Sequence, residues 1–190
     1  MNGQSKKGRL IVITGPSGVG KSSIVSQARR RSGAEFSVSA TTRKPRAGER
    51  DQEDYYFIDR KTFRSMVDTG DMLEWAEVFG ECYGTPAGPV RQAVADGKNI
   101  ILDIDVQGGM QVARKRPDAT FILIAPPSMD ELKSRLAGRG SETPEQIDKR
   151  LGEAESELRM ARESGIYQHE VVNDDLDAAI EQVVAAINQE

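Results

Sequence analysis

One cysteine and one histidine occur in the 190 residues. Cys82 has no second cysteine with which to form an intramolecular disulfide, which fits a reducing compartment. Neither Cys82 nor His169 sits in a metal-ligand spacing, and no nucleophilic triad pattern surrounds them, so His169 is expected at the surface. No apolar stretch approaches the roughly 20 residues that cross a bilayer. The apolar run at residues 10–13 is also too short for the core of a signal peptide, so a cytoplasmic location is expected and no membrane partner. There is no internal repeat and no low-complexity tract. Positive charge is not in excess either: 26 Lys and Arg against 30 Asp and Glu leave a net charge of −4. Without a broad basic face, no nucleic-acid partner is expected.

What is present points to one α/β domain with a sizeable core. Apolar residues make up 37% and charged residues 29%, which excludes fibrous and disordered classes. Short apolar runs alternate with helical patterns, the order expected of a largely parallel sheet flanked by helices. Residues 10–13, 99–105 and 120–125 read as buried strands, with 170–172 as a shorter one. Their near-continuous branched content suits strands covered on both faces. Helix starts are marked by capping boxes at Ser128–Glu131 and Thr143–Gln146, with Pro144 at the first helical position. The last helix, from about residue 176, puts Leu176, Ala179, Ile180, Val183, Val184 and Ile187 on one face. Two segments interrupt the alternation. Residues 35–89 read as short strands and turns around one amphipathic helix with Phe63, Met66 and Val67 inward. Residues 127–150 contain a Gly- and Arg-bearing connector. Both are candidates for moving parts on a rigid frame, which consists of residues 9–34, 90–126 and 151–190.

Gly15, Pro16, Ser17, Gly18, Val19, Gly20, Lys21 and Ser22 match G-x-x-x-x-G-K-[ST] without a gap, between a strand and a helix. That context predicts a P-loop. Its backbone N–H groups and the helix amino terminus cradle a triphosphate, with Ser23 continuing the turn. Lys21 would hold phosphate oxygens and Ser22 would ligate Mg²⁺ beside ATP. Asp103 and Asp105 end a strand where open α/β sheets place ligands, and one of them suits support of Mg²⁺. The motif names the donor and leaves the second substrate open.

The stretch Ser37-Val-Ser39-Ala-Thr-Thr-Arg43-Lys-Pro-Arg46-Ala-Gly-Glu49 resembles guanylate kinase. So do Asp54-Tyr55-Tyr-Phe57, Leu73-Glu74-Trp75, Tyr83-Gly-Thr85, Leu102-Asp103-Ile-Asp105-Val-Gln-Gly108 and Val172-Asn173-Asp-Asp, in order and spacing. The resemblance covers nearly the whole chain. It implies a P-loop NTPase-type sheet with an inserted mixed α+β segment for GMP at residues 35–89 and a helical lid at 127–150. The activity implied is phosphoryl transfer from Mg·ATP to GMP, and to dGMP.

By the same resemblance Arg43 and Arg46 would fork the GMP phosphate, with Tyr55, Tyr83 and Ser39 completing the cradle. Glu74 would accept from guanine N1–H and the 2-amine, Thr85 would address O6, and Asp105 would make a further base contact. Asp103 would support Mg²⁺ through water. Arg135, Arg139 and Arg150 would reach the triphosphate on lid closure, and Asn173 would lie near adenine. Lys21, Arg43 and the three lid arginines would stabilise transfer, with no general base because the GMP phosphate is already an anionic nucleophile. Trp75 is expected to pack as an anchor and Phe57 to join the core, and Lys133 to be an exposed helix position. Cys82 stands where the family often has a tyrosine, and Gln168 to Glu170 is more polar than the family's strand. Two other readings are a phosphotransferase for another monophosphate, against which Glu74 and Thr85 argue, and a non-catalytic interaction module. The intact Lys21 and Ser22 argue against the second.

Overall fold

A computed structural model describes residues 7–138 and 143–189. Two sheets divide the chain. The larger is built from β1 (Leu10–Thr14), β2 (Glu35–Phe36), β7 (Ile100–Asp103), β8 (Thr120–Ala125) and β9 (His169–Val172). Its order is β2-β7-β1-β8-β9, and every pairing is parallel. Parallel strands need crossovers, and the helices that supply them cover both faces.

Side chains alternate across this sheet with period two. Ile11, Ile13, Ile101, Ile122, Ile124 and Val171 face α1 (Lys21–Ser32) and α7 (Leu176–Asn188), where Ile24, Val25, Ala179, Ile180, Val183 and Ile187 meet them. Leu10, Val12, Ile100, Leu102 and Phe121 face the other way, onto α3 (Ala87–Ala95) and α4 (Val106–Lys115) through Val90, Ala93, Val94 and Val112. Leu176 does not share the buried face of α7. It opens the helix directly after its Asp175 cap and is 44% exposed.

The smaller sheet lies wholly within residues 40–86 and has the order β4-β3-β6-β5. Its strands are β3 (Ala40–Thr41), β4 (Tyr56–Phe57), β5 (Met72–Val78) and β6 (Glu81–Pro86). The helix α2 (Arg60–Asp68) closes it with a buried Phe63, and Met66 and Val67 pack beside it. Cys82 is buried in the same cluster, where it packs as a small apolar residue.

Beyond β8 come α5 (Met129–Ala137) and α6 (Pro144–Ser164), packed through Leu132, Leu136, Ile147 and Ala154. Thr143 and Gln146 form the reciprocal capping box. At α5 only half of that device exists. Ser128 Oγ accepts from the Glu131 N–H at 3.1 Å, but the Glu131 carboxylate reaches forward to Arg135 Nε at 2.9 Å. The polar stretch before Asn173 is also satisfied: Gln168 Oε1 accepts from Phe121 N–H at 2.6 Å, and Glu170 pairs with Arg162 at 2.6 Å. His169 opens β9 half-buried, not free at the surface. Among the described residues no helix is long and apolar enough to cross a membrane.

Candidate active site

The carboxyl ends of β1, β7, β8 and β9 converge on one edge of the larger sheet. The loop after β1 turns back over α1, and Pro16, Ser17, Gly18, Gly20, Lys21, Ser22 and Ser23 line a polar cavity of about 220 Å³. Gly20 takes φ 93° at the amino cap of α1, a left-handed conformation that costs glycine nothing. A Cβ there would also stand 2.5 Å from Asn173 Nδ2. Asn173 is buried, donates from Nδ2 to the Val19 carbonyl at 2.7 Å, and accepts at its own carbonyl from Arg135 Nη1 at 2.9 Å. Its side chain thus lies against the loop's backbone. Val19 is itself a core residue.

Lys21 Nζ lies 2.8 Å from the Asp103 carboxylate and donates to the Ile104 carbonyl at 3.2 Å. Ser22 and Asp103 line a second cavity, of about 400 Å³, on the flank of α1. Arg150, on α6, donates from Nη2 to Ser17 Oγ at 2.5 Å, so one arginine of the predicted lid already touches the loop. Arg135 is held by Glu131 and by Asn173 as described. Arg139 lies outside the described residues. Lys133 is exposed and pairs with Asp148 at 3.3 Å, as expected.

The smaller sheet presents two groups. The first surrounds Arg43, whose guanidinium donates from Nη1 and Nη2 to the two oxygens of Glu49, each at 2.9 Å. The same guanidinium lies 5.5 Å from the Tyr55 ring centre and 5.8 Å from that of Phe57. Tyr83 completes the cluster edge-on to Tyr55, at 6.1 Å between ring centres. Phe57 is therefore half-buried beside the arginine, not in the core, because the strand's alternation sends Tyr56 inward instead. The Arg43 fork and the Arg46 backbone N–H (2.7 Å) hold the Glu49 carboxyl down at about 2, while the ion pair raises Arg43. The Arg46 side chain is exposed, and Ser39 is half-buried with its carbonyl taken by Tyr56 N–H at 2.9 Å.

The second group is Glu74 with Thr85, opposite each other in the β5–β6 register. Thr85 Oγ1 donates to Glu74 Oε1 at 2.6 Å, and both residues are buried. Burial pushes the Glu74 carboxyl up and nearby Asp105 adds to this, while the Thr85 hydrogen bond pulls it back. Asp105 caps α4, accepting from Gly108 N–H at 2.7 Å. Gly108 faces Glu74 closely: a Cβ on it would stand 3.0 Å from Oε2. Trp75 is not an anchor; its side chain is 37% exposed, since alternation along β5 turns Glu74 inward and its neighbour out.

The comparisons with known proteins agree with one another. The guanylate kinase family model matches residues 7–190. This chain belongs to the guanylate kinase family. Guanylate kinase from Nocardia farcinica is 48% identical over 184 residues, covering 95% of this chain and 94% of its own. The Synechocystis guanylate kinase is 46% identical over 98% and 96%. Among solved structures, the guanylate kinase of Anaplasma phagocytophilum superposes with a TM-score of 0.69 at 31% identity, over 95% of this chain and 84% of that one.

Several residues near these groups escape sequence reading. Glu49 is one, although an acid six residues from Arg43 in a basic cluster is a legible signal. Glu157, half-buried on α6, is another. Burial raises its carboxyl, as does Asp105, and Lys21 opposes them. Tyr167 Oη accepts from Thr14 Oγ1 at 2.8 Å, joining the segment between α6 and β9 to the strand that feeds the P-loop. No sequence pattern marks either of these two.

Proposed function

We propose that this chain transfers the γ-phosphoryl group of ATP to GMP and dGMP, giving ADP and the diphosphate, as a cytoplasmic enzyme of purine nucleotide metabolism. The observation that carries the reading is the buried Glu74–Thr85 pair beside Asp105. A buried carboxylate is costly unless a ligand supplies donors. Guanine offers two adjacent ones, N1–H and the 2-amine, whereas adenine offers neither and would leave the charge unpaired. Sites of this kind reject the wrong base by about 10⁴-fold or more. Arg43 and Arg46, with Tyr55, Tyr83 and Ser39, take the GMP phosphate; the basic, aromatic-lined Arg43 cluster supports this. Glu49 pre-aligns the Arg43 fork and yields to the incoming dianion.

The P-loop amides and Lys21 hold the triphosphate, which draws Lys21 away from Asp103. Arg135, Arg139 and Arg150 of the lid bring cations to the transferring group, and Asn173 shapes the loop beside the adenine. A metal ion fits this donor set. Ser22 and Asp103 share one cavity and offer a hydroxyl and a carboxylate, the hard oxygens Mg²⁺ prefers. Among the described residues no group of three His, Cys, Asp or Glu could cage an ion. That is the usual situation where one carboxylate, water and substrate phosphates complete the shell. Ser22 would bind Mg²⁺ directly and Asp103 through water, and the ion would neutralise phosphate charge.

The test is ADP release from Mg·ATP with GMP, dGMP, AMP, CMP, UMP and dTMP. Turnover confined to GMP and dGMP is expected. Turnover with another monophosphate would overturn the base assignment.

A further inference from the structure

β5 is the edge strand of the smaller sheet, so its outward backbone groups have no strand to pair with. One face of α4 supplies the missing partner. Gln111 behaves there like a peptide group of a neighbouring strand. Its Oε1 accepts from Trp75 N–H at 3.2 Å and its Nε2 donates to the Trp75 carbonyl at 2.9 Å. One turn further on, Lys115 Nζ donates to the Met72 carbonyl at 2.6 Å. One turn earlier, Gly108 leaves the space that Glu74 Oε2 occupies, and Asp105 caps the helix. Residues 105, 108, 111 and 115 recur at helical spacing, so this is a single stripe.

The positions of the two clamps matter. The register of β5 against β6 shifts between Met72 and Glu74, an irregularity of the kind that re-aims a side chain. Lys115 holds the strand just before that shift and Gln111 just after it. Glu74 lies between them. The lysine's charge also favours the ionised carboxylate, against burial and Asp105.

We propose that Gln111 and Lys115 are positioning residues for base recognition, which lock the irregular part of β5 to α4 so that Glu74 and Asp105 meet the base as one rigid pair. Neither side chain touches the nucleotide in this account. It rests on the reading of Glu74 as the guanine acceptor. Two polar groups that must engage one ring together tolerate errors of only about 0.5 Å. An edge strand with an internal shift and no clamp would not keep that tolerance.

Steady-state kinetics on Gln111→Met, Lys115→Met and Lys115→Arg, alone and in a Glu74→Ala background, test this. Each Met variant is expected to raise the KM for GMP about tenfold, the weight of one or two buried hydrogen bonds. It should narrow the preference for GMP over IMP, which lacks the 2-amine, and leave the KM for ATP and the saturated kcat within about twofold. Lys115→Arg, which still donates to the Met72 carbonyl, is expected to restore wild-type KM. Added to Glu74→Ala, Gln111→Met should change nothing further, because the group it positions is gone. An unchanged KM for GMP in both Met variants overturns the proposal, as does an undiminished effect in the Glu74→Ala background. If Glu74→Ala alone leaves the KM for GMP unchanged, the guanine reading itself falls, an outcome separable from failure of the clamps.

Discussion

Asn173 donates its side-chain amide to the carbonyl of Val19, 2.7 Å away across 154 residues of sequence. The last strand of the large sheet thereby holds the middle of the P-loop from behind. Gly20 makes room for the contact, and Arg135 ties the same residue's carbonyl to α5. The loop, the end of the final strand and α5 are thus linked at one buried residue.

Asn173→Ala should therefore act on stability before it acts on chemistry. It leaves a buried Val19 carbonyl without a donor, at about 1–3 kcal/mol. For a chain of this size about 1 kcal/mol moves Tm by roughly 2–4 °C. Calorimetry is expected to show a fall of about 2–12 °C. An unchanged Tm would mean that the amide contributes nothing to holding the loop.

Lys21→Ala removes the cation that faces Asp103 and, in the proposed reaction, the triphosphate. With the ligand side lost, kcat should drop by at least about 10²-fold, the scale of losing one preorganised charge-stabilising donor. GMP affinity, measured by calorimetric titration, should stay near wild type because Glu74 and the Arg43 cluster belong to the smaller sheet, not to the loop that carries Lys21. A retained kcat would remove Lys21 from the reaction.

The frame of this molecule is legible in its sequence because burial and chain direction act locally there. The run at residues 120–125 has no choice but a doubly covered strand, and β8 has those bounds. The P-loop is legible because its glycines, lysine and serine are contiguous. Leu176 misled the helical-period reading and Trp75 the expectation of an anchor for one reason: an apolar side chain at the end or edge of an element has fewer neighbours to cover it. The Asn173–Val19 and Gln111–Trp75 contacts were not legible at all. Each joins a side chain to a backbone group on a distant element, and backbone groups carry no sequence signature.

Glu74 carries a pH signature. Its carboxyl is raised above the ordinary 4.5 by burial first, with Asp105 adding to the effect. In the window above 4.5 the folded protein holds a proton that the unfolded chain has released, so stability falls as pH rises through the folded value. Glu74→Gln keeps the bond from Thr85 without the buried charge. At pH 8 it is expected to melt above wild type in the absence of nucleotide, a gain that shrinks as pH falls towards 4.5. Its KM for GMP should rise at pH 8 because an amide nitrogen meets the guanine donors. The ratio of variant to wild-type KM should contract as pH falls, as protonation removes the wild type's acceptor. Using the ratio cancels the ionisation of the GMP phosphate near pH 6. A ratio independent of pH would contradict a titrating Glu74.

Glu49 has the opposite sign. The two-pronged contact from Arg43 and the Arg46 N–H hold its carboxyl at about 2, below the ordinary 4.5. A depressed folded value means that the pair contributes stability above about 4.5 and loses it as pH falls towards about 2. Carbon-detected NMR titration should follow the Glu49 carboxyl to that low value in the nucleotide-free protein. In Arg43→Ala it should return towards 4.5. Addition of GMP should have an intermediate effect, since the phosphate dianion competes for the same guanidinium. A Glu49 titration that ignores GMP would mean that Arg43 keeps its internal partner and that the phosphate is held by Arg46 and the tyrosines alone.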